Sequence, residues 1–582
     1  MKIKRFHSLA LLLFMGLALL LGRLMQIQLF QTENFTKHHI NLLKDSVTQR
    51  TQEVVLDDGR GQFLDRNGRP LNYVSRHVLV LFPFVKSFQW KRETVADILG
   101  LEESRLQTEI ERAEKPVIFG GDNPYTLTED QANRINELAI PGVMAVEKKY
   151  PADPVPAEQF IGIVRESDEI LKRYPKKAGR SQLKIGISGL QKNFDEFILP
   201  ETESKLIYHV DGKGGPLFGI DVKYTGEVNP YLPLQVRTTI DRDIQEEVEK
   251  LVDKHGIKNG GAVLLDIATS DIVAIASRPV INQSDPYADN GAKNAMLEEQ
   301  IPGSVFKTAV AAAAIETGLA DGRQVYDCSL TIHDKPAPRK LGSLTFEQSF
   351  AQSCNRTFGE LARKLKEKDE DMLENYSEKL SLTGTQSWTG NVFHYEKFKQ
   401  FSVKPGRIFN EAEKKLDNNY VAQTGIGQHE VRITPLAAAN MMATIARGGE
   451  RKLVRGVSAI EYQNGTTLYS FQEQSPDGGT ISAYTAQRLQ RLLRSVVTET
   501  AGTGHALDHL PFEVAGKSGT AETGIGMGTE QLHNKWFAGY FPFRSPQYAL
   551  VTVNLGVLEQ EGAVIPLFAD IVNRLYELDR SQ

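Results

Sequence analysis

The alternation of apolar and polar residues changes character several times along the chain, and each change predicts an element. Near the start, SLALLLFMGLALLLG (8–22) is almost wholly apolar, and RLMQIQLF carries the run on to Phe30. About 20 apolar residues suffice to cross the hydrocarbon of a bilayer as a helix. The run therefore predicts a membrane-spanning helix, with Arg23 reaching its head group toward the interface. Farther on, TEDQANRINELAI (128–140) has the period of an amphipathic helix, opened by Thr128 as its cap and stopped by Pro141-Gly142. DRDIQEEVEKLVDKHG (241–256) predicts another helix, closed by Gly256. GAVLLDIATSDIVAIAS (261–277) then reads as two apolar strands joined by a Thr-Ser-Asp turn. The strand pattern returns in VAGKSGTAET (514–523), WFAGYFPF (536–543) and YALVTVNLGV (548–557), before a closing helix, IPLFADIVNRLYELD (565–579). Strands first, helices between, and strands with a helix last predict an α/β or α+β domain whose sheet joins both ends of the segment. The Pro/Gly-rich passage YTGEVNPYLPLQVRTTID (224–241) marks a junction before it. Between 31 and 225, short helical and extended patterns alternate without a repeat.

Composition narrows the class. The 582 residues exceed what one core organises, which predicts two or three domains. With 41% hydrophobic and 24% charged residues, long disorder is excluded. The net charge of -5 is spread over interspersed signs, and no basic block offers a face to nucleic acid. Lys2, Lys4 and Arg5 precede the apolar run, so the positive-inside rule puts Met1 in the cytoplasm and the chain beyond about residue 31 outside. No small-x-small cleavage site follows, which favours an uncleaved signal anchor over a signal peptide. Cys328 and Cys354 are the only cysteines; outside the cytoplasm they could pair, but two cysteines give no framework to argue from. There is no CxxC or HExxH, and His38-His39 is the only adjacent pair among 12 scattered histidines, so no metal site is predicted.

Candidate chemistry begins with EEQIPGSVFKTAVAAAAIETG (298–318), where Lys307 is the only charge between Glu299 and Glu316. Pro302-Gly303 marks a turn, and the alanine run with Val310 and Ile315 predicts a fully buried helix. Ser304 then lies at the helix N-terminus with Lys307 one turn on, along the same face. The positive end of the helix dipole and desolvation both lower the pKa of such a lysine. A neutral amine beside a hydroxyl is a general base next to a nucleophile, and the helix N-terminus offers N–H groups to an oxyanion. Ser-x-x-Lys is a cheap pattern, expected by chance roughly twice in a chain of this composition. Ser181 and Lys184 form a second match, in polar surroundings with no buried helix behind it.

Two further elements give Ser304 its context. Ser353-Cys354-Asn355 precedes a helical stretch, RTFGELARKL, and places a hydroxyl and an amide two residues apart. Such a pair can relay a proton and bind a carbonyl, although a turn with a capping asparagine has the same sequence. Lys517-Ser518-Gly519-Thr520 lies on a predicted strand. Its cation and hydroxyls suit a carboxylate, and its glycines leave bare backbone along which another chain can lie, as in peptide binding by strand addition. An edge strand protected by a lysine would look the same.

In this order the three elements resemble the signature of the penicillin-recognising serine enzymes. Other segments are similar to class B penicillin-binding proteins: Arg60-Gly61 with Asp65-Arg66-Asn67-Gly68 and Leu71, Lys149-Tyr150-Pro151, and Gly186-Ile187-Ser188-Gly189-Leu190 with Phe194-Asp195. Gln191 stands where that family has Glu. TTIDRDIQ (238–245), TGIGQHEVRITPLAAAN (424–440) and WFAGYFP (536–542) resemble later family blocks. The resemblance implies an α/β (α+β) transpeptidase domain at 235–582, its sheet flanked by helices with an all-helical subdomain. It further implies an elongated α+β pedestal at 31–225, a transmembrane anchor at 8–30 and a cytoplasmic tail at 1–7. The implied activity is acyl transfer on peptidoglycan stem peptides ending in D-Ala-D-Ala, with Ser304 as nucleophile and Lys307 as base. Ser353 and Lys517 would protonate the leaving group, and Asn355 would hold the donor amide. Lys517, Ser518, Gly519 and Thr520 would receive the terminal carboxylate, with the N–H groups of Ser304 and Thr520 as oxyanion hole. The implied partners are stem peptides, β-lactams, the membrane through the N-terminal helix, and other cell-wall synthesis or division proteins; no cofactor or nucleic acid is implied. A D,D-carboxypeptidase would use the same residues with water as acceptor. A β-lactamase would need a deacylating base, for which Glu413-Lys414-Lys415-Leu416-Asp417 is a near match to an ExxLN loop with Asp417 in place of Asn. A β-lactam sensor or dead scaffold would not need Ser304, Lys307, Ser353, Asn355 and Lys517 intact together with only a short cytoplasmic tail.

Overall fold

The structure, a computed structural model, describes residues 2–580 apart from 34, 36–40, 176–182, 201, 212–221, 227, 228, 230, 528 and 529. His38-His39 and Ser181 lie outside the described residues. A helix runs from Lys2 to Met25 and continues with wider turns over Gln26–Phe30. Within it, Phe6–Phe30 has a mean hydropathy of 2.1 over a membrane-length window, long and apolar enough to cross a bilayer. The chain forms two compact units, and neither is one continuous segment.

The first unit gathers Met1–Gly59, Val74–Tyr150 and Glu201–Asn229. It holds a three-stranded sheet in which Thr51–Asp57 pairs with Ser204–His209 and that strand with Lys223–Thr225. A second sheet is built around Tyr73–Leu81. Its inner residues Val78 to Leu81 are wholly buried beneath Leu106, Ile110 and Ile135, and Tyr208 stacks on Phe84 at 4.4 Å. The predicted Thr128 cap is present as a reciprocal box: Gln131 N–H donates to Thr128 Oγ1, and Thr128 N–H to Gln131 Oε1.

The second unit joins Arg60–Tyr73 and Pro151–Pro200 to everything from Pro230 onward. Arg60 ties the two early segments to each other. Its guanidinium is buried and donates to Asp195 Oδ1 at 2.7 Å, to Gln191 Oε1 at 2.8 Å and to the Lys184 carbonyl. Gln191 therefore still offers an acceptor to Arg60, and Asp195, which also meets Arg173 at 3.0 Å, supplies balancing charge.

At the centre of this unit is a five-stranded antiparallel sheet. We number its strands β1 (Gly260–Asp266), β2 (Ile272–Arg278), β3 (Ala515–Met527), β4 (Glu530–Phe541) and β5 (Tyr548–Val557), arranged β2-β1-β5-β4-β3. The predicted closure of the sheet by both ends of the domain is present: Leu264 pairs with Leu550. All of β1 is buried except Asp266. Its alternate residues enter different cores: Ala262 and Leu264 pack beneath one set of helices, Val263 and Leu265 beneath another. The first face carries α1 (Arg242–Lys254) and α6 (Val564–Asp579), through Val248, Val252, Leu567 and Ile571. The second carries α4 (Pro435–Ala446) and α5 (Ala483–Thr498), with α2 (Lys307–Glu316) packed on α5 and α3 (Asn355–Lys368) on α2. Both faces are thus dry, and β3 forms a free edge. Asp417, the residue that departs from the ExxLN pattern, caps the helix Asn418–Gly425 by accepting from Asn419 N–H at 2.8 Å.

Candidate active site

Ser304 lies on a tight turn, Gly303–Phe306, that runs directly into α2. The turn presses against β3. Gly303 has φ +55°, and a side chain there would come within 2.3 Å of the Thr520 carbonyl oxygen. From the strand side, a side chain on Gly519 would meet the Pro302 carbonyl at 2.5 Å. The bare backbone at Gly519 is therefore occupied by the turn that carries Ser304, which seats Ser304 beside Thr520.

Lys307 opens α2, whose residues through Ile315 are all buried as predicted. Its Nζ donates to Asn355 Oδ1 at 2.7 Å, to the Ser353 carbonyl at 2.9 Å and to Ser353 Oγ at 3.1 Å, with the Phe358 ring 5.6 Å away. Complete burial pushes its pKa well below the usual lysine value, and the charges of Lys517 and Arg339 push it further. Among the described residues no carboxylate touches it, so nothing of opposite charge offsets the lowering of its pKa, as the role of a base requires.

Ser353 and Asn355 converge on Lys307 because of what the backbone does between two helices. Helix Phe346–Ala351 ends, Ser353 takes a left-handed conformation at φ +60°, and Cys354 becomes the uncapped first boundary of α3. Cys354 is bonded to Cys328, with Cα atoms 5.9 Å apart, and its N–H donates to the Ser349 carbonyl. The Ser-Cys-Asn segment is therefore pinned at its middle residue. Asn355 does not cap the helix; its amide oxygen is used by Lys307.

Lys517, on β3, is likewise fully buried, and its Nζ donates to the Ser518 carbonyl at 3.2 Å. Desolvation, with repulsion from Arg339, holds its pKa down to about 7. Ser518 Oγ donates to Thr503 Oγ1 at 2.7 Å, and Thr520 is exposed beside the Ser304 turn. Two functional residues escaped the reading of the sequence. Thr503 orients Ser518, and Arg339, which also donates to the Gln352 carbonyl, sets the local potential at both lysines. Both lie on loops without periodicity, where a lone threonine or arginine carries no signal.

Chemically, a serine three residues before a desolvated lysine of lowered pKa is an arrangement suited to acylation without a histidine. Residues 260–573 match the model of the penicillin binding protein transpeptidase domain. The chain belongs to the penicillin-binding protein transpeptidase family, and within it to class B. The probable peptidoglycan D,D-transpeptidase FtsI of Caulobacter vibrioides is 25% identical over 525 residues, spanning 84% of this chain and 74% of that protein. Penicillin-binding protein PbpB of Mycolicibacterium smegmatis is 24% identical over 535 residues, spanning 78% and 75%. The same fold is found in a chain of a solved peptidoglycan synthase complex, with a TM-score of 0.63, 23% identity and 97% of both chains covered.

Proposed function

We propose that this chain is a peptidoglycan D,D-transpeptidase that works through a Ser304 acyl-enzyme. Ser304 Oγ attacks the carbonyl of the penultimate D-Ala while its proton passes to Lys307 Nζ. The N–H groups of Ser304 and Thr520 receive the oxyanion. As the C–N bond breaks, the proton moves through Ser353 to the departing D-Ala amine, with Lys517 nearby. Asn355 holds the donor peptide, and Lys517, Ser518 and Thr520 hold the terminal carboxylate. An amine of a neighbouring stem peptide then attacks the ester, forming the cross-link and freeing Ser304. β-Lactams acylate the same hydroxyl. Residues 31–225 serve as a pedestal for the domain at 235–582, outside the membrane and anchored by 8–30, and offer contacts to other cell-wall synthesis or division proteins.

The observation that carries this reading is the fully buried Lys307, its pKa pushed down by desolvation, held by Ser353 and Asn355. Labelling with a fluorescent penicillin tests it. Wild type and Ser181→Ala take the label and Ser304→Ala does not; label surviving on Ser304→Ala refutes the assignment. Incubation with a D-Ala-D-Ala pentapeptide, with and without an amine acceptor, separates cross-linking from hydrolysis.

A further inference from the structure

The free edge of β3 is already partly occupied by a side chain. Gln428 follows Gly427, whose carbonyl accepts from the Gly303 N–H at 3.0 Å, so the residue is fixed beside the nucleophile turn. Its Nε2 donates to the Thr520 carbonyl at 3.4 Å, and its Oε1 accepts from the Glu522 N–H at 3.3 Å. On its other side β3 pairs with β4, Thr520 opposite Lys535 and Glu522 opposite His533. Gln428 therefore sits on two outward-facing main-chain groups of an edge strand. A primary carboxamide has two N–H groups and one carbonyl; one of those N–H groups with the carbonyl gives the donor and acceptor that a peptide unit presents to a strand edge.

We propose that Gln428 is a specificity-determining residue: its carboxamide stands in for one peptide unit on the β3 edge, and an acyl donor bringing its own amide there has to displace it. The inference rests on β3 receiving the donor peptide as an added strand. Both bonds are longer than the usual N–H···O distance, so the placeholder is weakly held. Displacement exposes the Thr520 carbonyl and the Glu522 N–H, the groups an extended donor needs to pair beyond its scissile residue. A donor without an amide at that position leaves Gln428 where it is.

The test compares two acylating probes on full-length wild type and Gln428→Ala. Benzylpenicillin carries an acylamino N–H next to its reactive ring; penicillanic acid has the same ring system with hydrogen in that place. Second-order acylation rate constants are read by competition with fluorescent penicillin. Loss of two weak hydrogen bonds predicts that the benzylpenicillin-to-penicillanic acid ratio rises about tenfold in Gln428→Ala. An unchanged ratio, or one that falls, overturns the proposal; a fall would make Gln428 a ligand for the donor. If Gln428→Ala loses its thermal transition, Gln428→Asn, one methylene too short to reach both groups, is read in the same way. Failure of the transpeptidase reading looks different, because wild type would then not be acylated at Ser304 by benzylpenicillin.

Discussion

Replacing Lys517 with Met removes a group that the folded protein keeps away from its preferred charge state. The unfolded chain titrates this lysine at 10.5 and the folded one at about 7. Between those values the unfolded chain binds a proton that the folded protein does not, so stability rises with pH. The penalty is complete below about pH 7 and vanishes above about 10.5. Evaluated at pH 7 and pH 9, it shrinks by about 2 kcal/mol. A cooperative unit of roughly 400 residues has an unfolding entropy near 0.8 kcal/mol/K at its midpoint, so 2 kcal/mol corresponds to about 3 °C. Lys517→Met is therefore expected to melt above wild type at pH 7, and the gap is expected to narrow by about 3 °C at pH 9. Loss of the repulsion on Lys307 acts in the same direction, because that lysine is also depressed by Lys517. Scanning calorimetry of both proteins over this range measures the gap, and other titrating groups cancel in the difference. Parallel curves, or a gap that widens with pH, would refute the argument that burial neutralises Lys517.

Two other outcomes follow from the same geometry. Arg339→Ala removes a positive charge felt by both Lys307 and Lys517; their pKa values rise, and the acid limb of β-lactam acylation moves to higher pH. Acylation is expected to be several-fold slower at pH 6.5 and normal at pH 9, with the difference shrinking at high salt because Arg339 is exposed. The Cys328–Cys354 bond closes a loop with a sequence separation of 26, which constrains the unfolded chain by about 3.5 kcal/mol. The double variant Cys328→Ala/Cys354→Ala is expected to melt several degrees lower, and unreduced wild type to take up no thiol reagent.

What could be read in advance depended on periodicity. The strands β1 and β2 were legible because both faces are buried, which leaves a run of Val, Ile, Leu and Ala interrupted only at Asp266 and at Thr-Ser-Asp. The helix behind Ser304 was legible for the same reason. Ser353 and Asn355 were legible as a pair, but their convergence on Lys307 was not, since it needs a left-handed serine and a covalent link to Cys328, neither of which leaves a mark in the alternation of residues. The role of Gly519 was half legible: a missing side chain signals close approach, but only coordinates reveal that the approaching chain is Pro302–Ser304. Arg339, Thr503 and Gln428 belong to loops, where position comes from what the loop is tied to. The second Ser-x-x-Lys shows the converse, a motif with the right letters and no buried helix behind it.

The pairing of β1 with β5 also governs how the protein comes into being. Leu264 and Leu550 are neighbours in the sheet, yet at 5–20 residues per second a ribosome needs about 15–60 s to make the chain between them. For that interval β1 has β2 on one flank and nothing on the other, and for most of it the strand carrying Lys517 does not yet exist. A nascent chain of this topology spends its synthesis with an open, wholly apolar strand edge, the feature that invites pairing with other chains. Every copy has to be shielded until its last 70 or so residues are made, and only then does Ser304 acquire the strand against which it works.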